Sequence, residues 1–171
     1  TITALDAPDL SHLTSMAYMF ENTAFSSVLS IRLWNTSTVT QMSGLFSGSS
    51  FNSDISSWDV SNVRKMDYMF YNSAFNLPLA TWNTGNLQDA SFMFGSSNFN
   101  QPIGNWNTKS LTSLSGTFDT AFNFNQNISS WNTSSVIDMS NTFNGGVFNQ
   151  AISNWDVSHV KTMTSMFRQS K

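Results

Sequence analysis

The sequence predicts a repeat solenoid, with one short parallel strand and one short helix or 3₁₀ segment in each turn of about 24 residues. Three observations carry this. Tryptophan recurs at positions 34, 58, 82, 106, 131 and 155, at intervals of 24, 24, 24, 25 and 24 residues. The pairs Phe51-Asn52, Phe75-Asn76, Phe99-Asn100, Phe124-Asn125 and Phe148-Asn149 keep the same phase. Two apolar periodicities also alternate inside each unit, one of period two and one of period three to four.

Along the chain, residues 1–33 form an irregular first turn, 34–154 hold five regular turns, and 155–171 begin an incomplete last one, about seven turns in a single array. In the first turn Leu10, Leu13, Met16, Met19 and Phe20 match Val60, Val63, Met66, Met69 and Phe70, while Pro8 replaces Trp and Leu5 fills the later Ile slot. Proline cannot donate to a strand ladder, which suits a terminal coil. Two extra residues between Phe25 and Trp34 read as a small loop, and one between Phe118 and Phe124 as an insertion at a bend. In the regular turns, Trp58-x-Val60 has strand spacing and Val63-x-x-Met66-x-x-Met69-Phe70 has helical spacing. Asn62, Asn86, Ser110 and Ser135 stand before the helical stretch as N-cap types. Successive strands are expected to pair in register, about 4.8 Å apart. The chain stops at Phe167–Lys171 just before another Phe-Asn is due, so the array is expected either to continue beyond it or to fray at this end.

Composition narrows the function classes. Lys and Arg number 7 against 10 Asp and Glu, with no basic run. Nucleic-acid binding needs a clustered basic face, and so does a polybasic membrane patch. No apolar run reaches the roughly 18 residues that would insert in a bilayer. Cysteine is absent, which removes disulfides, thiol nucleophiles and zinc-thiolate sites.

Each conspicuous residue has a structural reading. Trp34, Trp58, Trp82, Trp106, Trp131 and Trp155 read as an inward file with the indole N–H on backbone carbonyls, in preference to a sugar-stacking platform. Phe46, Phe70, Phe94, Phe118, Phe143 and Phe167 read as a second core file. Met42, Met66, Met139 and Met163 share their slot with Ala90 and Leu114, which marks packing and no metal site. Asn52, Asn76, Asn100, Asn125 and Asn149 read as a structural amide ladder. His12 and His159 occupy the cap slot in opposite terminal turns. Asp54, Asp59, Asp89, Asp138 and Asp156 form no pair at a spacing suited to acid–base work. No phosphate loop, nucleophile elbow or metalloprotease motif is present, so neither catalysis nor a cofactor is expected. Asn35, Asn127 and Asn132 begin N-glycosylation acceptor patterns.

The outward strand positions are then the candidate binding surface. One row is Asn35, Asp59, Asn83, Asn107, Asn132 and Asp156; the other is Leu33, Ser57, Thr81, Asn105, Ser130 and Asn154. A lattice of short polar side chains on an extended face is how solenoids bind large partners.

The frame Trp-Asn/Asp-Thr/Val-Ser-x-Val-x-x-Met-x-x-Met-Phe, followed by Phe-Asn and an aliphatic residue, resembles the repeat of BspA-like surface proteins, a divergent leucine-rich-repeat class. The resemblance covers the chain from about Leu10 onward. It implies a leucine-rich-repeat-like right-handed coil, an extracellular or cell-surface location, and adhesion-type binding of a protein or glycan. A passive stalk and an ice- or polysaccharide-binding array are the alternatives. An exposed terminal coil also offers a face for end-to-end self-association.

Overall fold

The computed structural model describes residues 7–25 and 30–171. Leu5 and the loop residues 26–29 of the irregular first turn lie outside the described residues. The expected leucine-rich-repeat coil, with a parallel sheet and a helical segment in every turn, is not what the chain forms. Among the described residues the one helix is the 3₁₀ segment Ile31–Leu33. Pairing is limited to isolated parallel bridges, from Ser15 to Gln41, Lys65, Asp89, Ser113, Asp138 and Thr162 in succession. Among the described residues there is no sheet, and hence no sheet face.

Local bonding explains both departures. At Trp58-Asp59-Val60 the Trp58 N–H donates to the Ile55 carbonyl at 3.0 Å and the Val63 N–H to the Val60 carbonyl at 2.9 Å. Between them the Asp59 carboxylate accepts the Ser61 N–H at 2.9 Å. Two turns flanking an Asx-turn leave no extended run for a strand.

In the stretch read as helical, donors alternate. Met66, Tyr68, Phe70 and Asn72 donate to the carbonyls of Asp89, Ser91, Met93 and Gly95 in the next unit, at 2.8–3.0 Å. Met69, Tyr71 and Ser73 donate locally, three residues back. A helix would send every N–H back along its own segment. Here half of them hold the neighbouring unit, and the chain must swing into the left-handed region to aim them. Tyr68 and Asn72 accordingly have φ of 58° and 50°, each at the third position of a turn, where a type II turn requires positive φ. The same two slots are left-handed in the other units, at Tyr18, Asn22, Gly44, Gly48, Phe92, Ser96, Gly116, Thr120, Asn141, Gly145, Ser165 and Gln169.

Side chains between these turns stack along the repeat axis. Phe20, Phe46, Phe70, Phe94, Phe118, Phe143 and Phe167 form one file with successive ring centroids 5.5–5.9 Å apart. Phe51, Phe75, Phe99, Phe124 and Phe148 form a second, spaced 6.0–6.4 Å. Within a unit the two files touch, as in Phe94 against Phe99 at 4.0 Å. Tryptophans 82, 106, 131 and 155 form a third file beside them, with successive rings 6.2–6.3 Å apart and nearly parallel. Phe46 through Phe143 are fully buried, whereas Phe167 is half exposed and Trp34 half-buried. The inserted residue between Phe118 and Phe124 is absorbed by turning Phe122 outward, so Phe124 keeps its place in the file.

Candidate recognition surface

The two rows proposed to bind lie on bends, and most of their side chains are engaged with their own scaffold. In the row after Trp, the side-chain oxygens of Asn35, Asp59, Asn83, Asn107, Asn132 and Asp156 accept the N–H two residues on, at 2.9–3.3 Å. These are Asx-turns, which Asn and Asp make equally well. In the row before Trp, Ser57, Thr81, Asn105 and Ser130 donate to backbone carbonyls of the preceding unit, at Arg32, Ser56, Ala80 and Gly104. Leu33 is exposed, and no side-chain bond ties Asn154.

The remaining slots follow the same logic. Buried Thr36, Thr84, Thr108 and Thr133 reach forward to carbonyls of the next unit at 2.9–3.1 Å. Asn62, Asn86 and Ser110, read as helix caps, have no helix to cap; they reach back to the carbonyls of Ser37, Ser61 and Gly85. The carbonyl oxygens of Asn52, Asn76, Asn100 and Asn125 accept the backbone N–H of the next asparagine in the file, at 2.9–3.1 Å. Gln101, Gln126 and Gln150 add a side-chain amide to the same oxygens. The indole N–H of Trp58, Trp82, Trp106, Trp131 and Trp155 donates to the carbonyls of Ile31, Ile55, Leu79, Ile103 and Ile128. Trp34 has no such partner among the described residues.

Electrostatics are local. The side chain and N–H of Ser61 hold the Asp59 carboxyl below the usual aspartate range, and Ser158 and Ser56 do the same for Asp156 and Asp54. His159 sits at one end, its Nδ1 3.2 Å from Ser158 Oγ, in a shallow cleft with Ser134, Ser135, Ile137 and Lys161. His12 is exposed in the first turn. Among the described residues no group of three or more His, Asp or Glu is placed to hold a metal ion, and no helix is long and apolar enough to cross a membrane.

A different surface lies over the left-handed turns. Here the outward slots vary from unit to unit. One runs Tyr18, Gly44, Tyr68, Phe92, Gly116, Asn141, Ser165, and its neighbour runs Glu21, Ser47, Tyr71, Gly95, Asp119, Asn144, Arg168. All three tyrosines of the chain stand on this ridge. Tyr68 and Phe92 stack at 5.0 Å and 9°, and Tyr71 meets both edge-on at 5.5 and 6.3 Å. Burial is the main cause pushing the Tyr68 phenol up, with Tyr71, Asp67, Tyr18 and Asp89 adding to it. The helical spacing of Val63, Met66, Met69 and Phe70 assigns Tyr68 and Tyr71 no role. The available signal was a bulky aromatic alternating with glycine in one repeat slot.

The family model described as "Mycoplasma protein of unknown function, DUF285" matches residues 1–102 and 91–171. Comparison with curated proteins and with solved structures gave no match. The two overlapping segments together span the whole chain, which therefore belongs to the DUF285 repeat family.

Proposed function

We propose that this chain is a non-catalytic recognition module of the BspA-like surface-protein type, displayed outside the cell, binding a protein or glycan partner in adhesion. The observation that supports this reading is the division between invariant and variable slots. The stacked Phe, the Trp and the Phe-Asn slots repeat one residue from unit to unit, whereas the two ridge slots carry Tyr, Phe, Gly, Asn, Ser, Glu, Asp or Arg. Scaffold positions are fixed by packing, so binding information belongs where the scaffold leaves residue type free to vary. The bonded polar rows favour a different role for themselves, that of fasteners between units.

Saturable binding of the fluorescently labelled chain to host cells or extracellular matrix is the expected result. Binding that never saturates, or that stays at the level of an unrelated protein, would instead support a passive stalk.

A further inference from the structure

Tyr68 and Phe92 hold a backbone conformation that costs a non-glycine residue about 1–2 kcal/mol, and other units fill the same slot with Gly44 and Gly116. Neither aromatic ring belongs to the core files. Phe92 covers one face of the Tyr68 ring; on the other side the equivalent slot is Gly44, over which the Tyr18 ring leans. Tyr68 keeps 38% of its surface exposed. Tyr71 braces the pair edge-on and leans over Gly95, where an added Cβ would lie 3.0 Å from its ring. The result is a braced, partly exposed aromatic plate, with the exposed Tyr18 ring one slot further along the ridge.

Polar groups frame this plate. Asp67 precedes Tyr68 and accepts a hydrogen bond from Ser43 at 2.5 Å. One Asp89 oxygen accepts from both the N–H and the hydroxyl of Ser91, which in turn meets Ser113 at 2.8 Å. One oxygen of each carboxylate is thus engaged, and a carboxylate has acceptor capacity to spare. A flat ring face suits the C–H face of a pyranose, and carboxylates beside it suit the hydroxyls at its rim. The same carboxylates disfavour an acidic sugar.

Building on the recognition reading above, we propose that Tyr68, supported by Phe92 and Tyr71 and flanked by Asp67 and Asp89, stacks an uncharged pyranose residue of a glycan. The variant Tyr68→Gly/Tyr71→Ser tests this, because Gly44, Gly116 and Ser47 already occupy those slots in other units. Cellohexaose and chitohexaose serve as probes, with hexagalacturonate as the acidic comparator, read by saturation-transfer NMR and calorimetry. The wild-type chain binds at least one uncharged probe in preference to the acidic one. The variant, with an unchanged unfolding midpoint, binds about tenfold more weakly. Equal binding by the variant, preference for the acidic probe, or binding to neither uncharged probe overturns the proposal. So does cell binding abolished by protease and untouched by glycosidases, which points to a protein partner. If the variant still adheres to cells as wild type does, recognition stands and its site lies elsewhere. A wild-type chain that binds neither cells nor oligosaccharide removes both readings.

Discussion

The inner files and the outer ridge of this molecule obey opposite rules. Inside, Phe70, Phe94 and Phe118 are the same residue in the same place, each covering the next. On the ridge, Tyr68, Phe92 and Gly116 share one backbone conformation and almost nothing else. A buried slot is filled by its own copies above and below, so uniform size is what keeps the stack free of voids. Ridge slots are constrained in their backbone, by the left-handed turns that hand hydrogen bonds to the next unit, and in size only where a neighbouring ring leans over a glycine. Chemistry is therefore free to vary there.

Breaking a file gives the largest effect. Phe94→Ala removes a ring stacked against Phe70, Phe99 and Phe118, and stability should fall by about 3–5 kcal/mol in urea unfolding. A ridge glycine comes next. An alanine Cβ at Gly44 would overlap the Tyr18 ring and adopt a φ of 60°, costing about 2–4 kcal/mol. Tyr68→Gly in the same slot should change stability by less than about 1 kcal/mol, since lost stacking offsets relieved backbone.

The indole bonds sharpen the contrast between units. Trp106→Phe removes the indole donor 3.1 Å from the Leu79 carbonyl, which keeps the Trp82 N–H, and should cost about 0.5–1.5 kcal/mol. Trp34→Phe should cost less, because among the described residues its N–H has no partner to lose. The smallest effect concerns pH. Asp59 is exposed and its carboxyl is held below the usual range by Ser61, so its contribution is present above the unfolded aspartate pKa of about 4 and fades as pH falls through the folded value. Asp59→Asn keeps the Asx-turn, as Asn83 and Asn107 do, and should slightly flatten the acid limb of the stability curve.

The repeat frame was legible, because equal spacing of Trp and Phe-Asn needs no knowledge of the backbone between them. Local conformation was not. Val63-x-x-Met66-x-x-Met69-Phe70 has helical spacing, yet successive turns with every second N–H sent outward return side chains to one face at nearly the same interval. Likewise Trp58-x-Val60 aligns two side chains inward across a bend as a strand would. Periodicity reports which residues face inward, and two backbones can satisfy one periodicity. The polar rows misled for a related reason. Asn83 and Asn107 look like a displayed lattice until the turn that uses their oxygens is seen.

By itself the sequence determined the unit length and the members of the phenylalanine files, since these follow from identical residues recurring at one interval. Only the tertiary structure decided that the units are joined by single bridges and left-handed turns, and that Tyr68 and Phe92 meet on the outside. The physical reason is that each unit gives half of the N–H groups in its left-handed turns to its neighbour, so its backbone is chosen by a partner a full repeat away and by no local preference.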